Sequence, residues 1–117
     1  MAEHNELGKW GEEQAALYLR SKGWYIRHRD WHCGHRDVDI IAIDEDCSIV
    51  IFVEVKTRST SAFGTPAEAI TKTKFEHIKQ GVQYYLAEHK VKDFRIDVIG
   101  ITLKPEIKIE HLKNVYL

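Results

Sequence analysis

Two periodicities alternate along the chain, one helical and one extended, and their order outlines a fold. Near the start, Leu7, Trp10, Gly11, Gln14, Ala15, Tyr18 and Leu19 recur three and four positions apart, the spacing of a single helix face. This predicts a helix over residues 5–22, with Asn5 as N-cap and Gly23 at its C-terminal stop. Residues 24–29 read as a short strand, 37–43 as a second and 48–57 as a third. The turn-forming Asp44-Glu45-Asp46 joins the last two. The run Ile49-Val50-Ile51-Phe52-Val53 is continuously apolar, which places its strand in mid-sheet with both faces covered.

Residues 57–65 form a loop of small residues, with Ser59, Ser61 and Gly64. Thr65-Pro66-Ala67-Glu68 then has the form of a capping box, with proline at the first helical position. A short helical piece to Ile70 and a longer helix over 72–89 follow, the latter with an apolar stripe of Phe75, Ile78, Val82, Tyr85 and Leu86. Trp10, Tyr18, Phe75 and Tyr85 are expected in the core. Residues 93–101 alternate through Phe94, Ile96 and Val98 as a fourth strand, and 107–115 make a weaker fifth at an edge. Neither a lone sheet nor a lone helix can bury its apolar side, so this order predicts an α/β fold with a mixed central sheet of about five strands flanked by helices.

Composition narrows the class without choosing a function. The 117 residues suit one domain, and 44% hydrophobic with 30% charged residues is ordinary for a folded soluble protein. No apolar run approaches the roughly 18 residues that span a bilayer. Residues 1–9 are polar and charged, unlike a secretory signal, so a cytoplasmic location without membrane contact is expected. Without an export signal, Cys33 and Cys47 are expected as free thiols. A formal net charge of −1 neither supports nor excludes nucleic acid, because basic residues can gather on one face.

The chemistry gathers at the end of the third strand. Strand side chains alternate, so Asp37 and Asp39 are expected to share a face, as are Glu54 and Lys56. A glutamate continuing a buried apolar strand must be paired, ligated or at its mouth. A hairpin through residues 44–46 would bring Asp39 opposite Val53 or Glu54. Two carboxylates facing each other repel unless positive charge sits between them. Mg²⁺ or Mn²⁺ would serve, since Mg²⁺ takes oxygen ligands and commonly uses only one or two protein carboxylates. With Asp39 and Glu54 holding the ion and Lys56 beside the attacking water, the set suits phosphodiester hydrolysis.

These residues resemble a known pattern. Asp39, fourteen residues, then Glu54-Val55-Lys56 matches the D…(D/E)xK signature of the restriction-endonuclease-like superfamily. More narrowly, five ordered segments resemble the YraN-like or UPF0102 family of small bacterial proteins, itself considered distantly similar to archaeal Holliday-junction resolvases. They are Gly8-Lys9-Trp10-Gly11-Glu12, Asp37-Val38-Asp39-Ile40-Ile41-Ala42, Phe52-Val53-Glu54-Val55-Lys56-Thr57-Arg58, Phe63-Gly64-Thr65-Pro66 and Arg95-Ile96-Asp97-Val98. The resemblance implies a restriction-endonuclease-like core and a metal-dependent nuclease acting on DNA, branched or junction forms included. It implies that Glu12 and the Val55 carbonyl join Asp39 and Glu54 as metal ligands, and that two copies form a homodimer. Asp37 stands where the family usually has glutamate and Arg36 where it has glycine, which leaves the role of position 37 open.

Arg29, Arg36, Arg58 and Lys74 are candidates for contacting nucleic acid, with Lys72 and Lys79 further along the same rim. His28, His32, Cys33 and His35 are zinc-ligand types, but their spacing lacks the tight repeated pairs of structural zinc sites. Taken alone, Glu54 and Lys56 also fit a solvated strand end, and Glu12 an ordinary helix face. Two other functions stay open: a nucleic-acid-binding module without turnover, and a protein-interaction domain with a vestigial acidic pocket.

Overall fold

The structure is a computed structural model that describes residues 2–34, 36–60 and 64–115; His35, Ser61 and Phe63 lie outside them. Helix α1 (Ala2–Ser21) precedes strands β1 (Tyr25–Cys33), β2 (Arg36–Ile43) and β3 (Val50–Arg58). A single 3₁₀ turn (Ala67–Ala69) leads into helix α2 (Lys72–Glu88), and strands β4 (Phe94–Thr102) and β5 (Lys108–Leu112) follow. The five strands lie in sequence order, β3 running parallel to β4 and every other neighbouring pair antiparallel. This is the expected mixed sheet of a restriction-endonuclease-like core, with β3 at its centre and β5 at an edge.

The helices cover opposite faces. Ala15, Ala16 and Leu19 of α1 bury against Ile40, Ala42, Ile51, Val53, Ile99 and Ile101. Ile78, Val82 and Tyr85 of α2 bury against Val38, Ile41, Phe52 and Ile96. Chain ends and turns obey local chemistry. Gly23, at φ +85°, closes α1 through bonds from the Gly23 and Trp24 N–H groups to Arg20 and Leu19. Asp44 accepts the Ser48 and Ile49 N–H groups in the β2–β3 turn. Thr65 and Glu68 exchange the reciprocal bonds of a capping box, and Thr71 caps α2 by accepting the Lys74 N–H.

Two expectations change. The first helix starts at Ala2, so Asn5 lies within it and is not its cap. The first strand continues to Cys33, four residues past its expected end, because pairing with β2 carries the polar run onward despite Asp30 at φ +51°. One close approach sets the position of α1. A Cβ on Gly11 would overlap the Thr57 side chain, so only glycine lets the helix lie this near β3.

Candidate metal centre

Asp39 occupies a break in the strand pattern. Val38 packs with the α2 face, whereas Ile40, two residues on, packs with the α1 face. Strict alternation would put both on one face, so the strand rotates by one step at Asp39. The partner strand does the same. Arg29 pairs with Ile40 and Trp31 with Val38, which leaves Asp30 level with Asp39 at the same break. The expectation that Asp37 and Asp39 share a face therefore fails: Asp37 binds Lys74 of α2, while Asp39 reaches Glu12 of α1.

The same rotation parts β2 from β3. Their ladder ends at Ile40–Val53, one step before Asp39 would stand opposite Glu54. Asp39 Oδ2 instead accepts the Val55 N–H at 2.8 Å. The N–H and C=O of one strand residue point to the same side, so the Val55 carbonyl faces this gap as well.

Four carboxyl groups converge here. Carboxylate oxygens of Glu12, Asp30 and Asp39 all lie within 4.8 Å of one another. Asp39 also touches the carboxyl of Glu54, which is buried, with its Oε1 lacking any hydrogen-bond partner among the described residues. Positive charge is scarce. Lys74 lies 3.1 Å from Asp37 but 4.0 Å from Glu54.

The electrostatics follow. Burial, then the Asp39 charge, pushes the Glu54 carboxyl up to about 9 against the pull of Lys74. Burial, contact with Asp30 and the Asp39 and Asp30 charges push Glu12 to about 8, with Arg29 opposing. Asp39 is raised too, because burial outweighs its bond from Val55. Burial pushes Lys74 down, but the surrounding carboxylates outweigh it and hold the ammonium above its usual range. Clustered carboxyl groups running from the buried Glu54 to the exposed Asp30, with one Glu54 oxygen unpartnered among the described residues, fit a divalent cation held by Glu12, Asp39, Glu54 and Asp30.

The remaining sequence candidates fall in different places. Lys56 lies two residues beyond Glu54 on β3, is exposed, and makes no ion pair among the described residues. Lys74 stands inside the acidic pocket rather than on an outer rim. Arg29 is tied to Glu13 at 2.7 Å. Arg58 remains within β3, its Nε donating to Thr102 Oγ1 at 3.4 Å. Arg36 donates to Gln80 at 2.7 Å on α2. His28 packs edge-on against Tyr85. Cys33 and Cys47 are free thiols.

Sequence reasoning missed Asp30, whose place depends on the β1–β2 register, and the network around Asp97. That carboxylate is fully buried and binds Arg95 at 2.9 and 3.2 Å, His111 at 2.7 Å and the Asn114 N–H at 2.9 Å. His111 in turn meets the Tyr18 hydroxyl at 3.1 Å, which links α1 to β5. Among the described residues no helix is long and apolar enough to cross a membrane.

Comparison with known proteins agrees with the whole-chain pattern. The family described as "Uncharacterised protein family UPF0102" matches residues 11–101. A UPF0102 protein of Phocaeicola vulgatus is 44% identical over 99% of this chain and 96% of its own length. Others from Caldicellulosiruptor saccharolyticus (40% identical, 95% of this chain and 97% of that protein) and Alkaliphilus oremlandii (37%, with 97% and 99%) are similar over the same extent. With a family match over most of its length and relatives aligned nearly end to end, the chain belongs to the UPF0102 family.

Proposed function

We propose that the protein is a divalent-metal-dependent endonuclease that hydrolyses phosphodiester bonds in DNA. The observation that carries this reading is the shortage of positive charge around Asp39: it touches the buried Glu54, the part-buried Glu12 and the exposed Asp30 close on it from the other side, and Glu54 Oε1 has no partner among the described residues. Such a pocket is costly unless a cation occupies it. When bound, Mg²⁺ or Mn²⁺ supplies Lewis-acid polarisation of a phosphoryl oxygen and lowers the pKa of water.

The chain's own residues supply the rest. Asp39 stays fixed by the Val55 N–H, so its free lone pairs point toward Glu12 and Asp30 without rotational loss. Glu54 closes the buried side. Lys56, two residues along the same strand, is exposed with no ion-pair partner among the described residues, available to hold the attacked phosphate and orient water. Lys74 pairs with Asp37 and stands beside Glu54, so it supplies positive charge at that side of the pocket.

Purified protein incubated with Mg²⁺ or Mn²⁺ and a panel of linear, branched and junction DNAs should cut at least one substrate. Asp39→Ala and Lys56→Ala should each slow cutting by at least about a hundredfold. Cutting that survives both substitutions would defeat the assignment of the centre. A wild-type protein that cuts nothing but binds DNA with steep salt dependence would replace the reading with a binding module.

A further inference from the structure

Some distance along α2 from Lys74 lies a second feature that the acidic centre does not use. Arg36, Gln80, Gln83, Tyr84 and Ala87 line a shallow cavity of about 340 Å³ that opens broadly to solvent. The Arg36 guanidinium is held twice, by the Gln80 side-chain oxygen at 2.7 Å and over the Tyr84 ring at 5.1 Å. It has no carboxylate partner among the described residues, so its charge faces the cavity uncompensated. Gly81 of α2 faces Trp31, Val38 and the Arg36 Cβ, the start of β2 lying beside the helix there. Tyr84 remains 45% exposed, a large value for an aromatic ring already holding one cation.

From these observations we propose that Tyr84 and Arg36 form a nucleotide subsite that stacks an unpaired base of the substrate strand and holds its phosphate. The chemistry of each lining group is accounted for. An aromatic face accepts any base by stacking, and a guanidinium binds phosphate as a planar fork. The Gln80 and Gln83 amides both donate and accept, so they can meet base edges of either polarity. Arg36 is three residues from Asp39 on β2, about 10 Å at roughly 3.3 Å per strand residue. Arg36 turns to the α2 side and Asp39 to the α1 side, so a strand whose phosphodiester lies at the acidic centre reaches the cavity by passing Asp37 and Lys74, a path of a few nucleotides. A paired duplex keeps its bases stacked on each other and leaves the ring unused. The subsite thus favours unpaired over paired DNA. This inference rests on the nuclease reading for its substrate, but its test does not require cleavage.

The test measures binding of a single-stranded DNA 12-mer carrying one 2-aminopurine, and of its fully paired duplex, to the full-length chain. Wild type and Tyr84→Phe should quench the fluorophore and bind the single strand alike. Tyr84→Ala and Tyr84→Leu should lose the quenching and weaken single-strand binding roughly tenfold, with little change for the duplex. Arg36→Gln should weaken binding and lower its salt dependence. Melting curves identify any variant that fails to fold, and Tyr84→Phe retains the ring in every case. Equal single-strand affinity of wild type and Tyr84→Ala would overturn the proposal. So would a parallel loss on both DNAs, or equal binding of a strand with the base removed. An Asp39-dependent nuclease with no Tyr84 effect would fail here alone, whereas a Tyr84 effect without cleavage would fail only the hydrolytic reading.

Discussion

Asp97 and Glu54 are buried acids on adjacent strands, one register step apart, yet their surroundings are opposite in kind. Asp97 receives two bonds from Arg95, one from His111 and one from a backbone N–H. Burial pushes its carboxyl up, but the bonds from His111, Arg95 and Asn114 and the Arg95 charge outweigh it and hold it below the usual range. Glu54 receives a distant ammonium and another carboxyl group, and rises to about 9. Burial alone therefore says little about an acid's role. The number of donors aimed at it separates a carboxylate that ties the fold together from one left short of partners.

The largest expected effect belongs to the satisfied site. Asp97→Asn removes the negative charge from beside the buried His111 and the part-buried Arg95, and should cost about 3–5 kcal/mol in urea unfolding, with or without divalent ions. Its pH signature has a definite sign. A depressed folded pKa gives stability that is present above the ordinary aspartate value of about 3.9 and is lost as pH falls through the lower folded value. Unfolding followed below pH 4 should show this loss in wild type and a shallower slope in Asp97→Asn.

The acidic centre should respond to ions instead. Mn²⁺ at a hundred times its dissociation constant should stabilise wild type by about 2.7 kcal/mol, seen as a rise in melting temperature, and Asp39→Asn should abolish most of it. Asp30→Asn should weaken the same response, and an unchanged Mn²⁺ titration would remove Asp30 from the ligand set. Smaller still, Tyr18→Phe should cost about 1 kcal/mol by removing the hydroxyl from His111. At neutral pH in chelator, Glu54→Gln should fall within about 1 kcal/mol of wild type, because it replaces a carboxyl that the pocket already holds protonated. A large destabilisation by Glu54→Gln would erase the contrast with Asp97.

Much of the architecture was legible because burial imposes periodicity. The apolar run before Glu54 marked the central strand, and the stripe from Phe75 to Leu86 marked α2. The approach of Asp39 to Glu54 was legible from the hairpin joining their strands, whereas Lys56, two residues further along β3, is exposed and lies outside the carboxyl cluster. Asp30 was not, since its meeting with Asp39 depends on which residues pair across β1 and β2, and local sequence does not encode that register. Lys74 was misplaced for a similar reason. Helical spacing fixes which residues share a face of α2, but not how that face turns over the sheet. The Asp97 partners come from β4 itself, β5 and the segment beyond it, so no local pattern announces them.

The contact between Gly11 and Thr57 has a consequence for the pocket's width. Because the first helix rests directly on the central strand at that point, the residue that follows, Glu12, is delivered to Asp39 by a spacer of fixed thickness. An alanine there would act as a shim, lifting the helix and drawing one acid away from the other three. The residue with no side chain thereby sets how far Glu12 stands from Asp39.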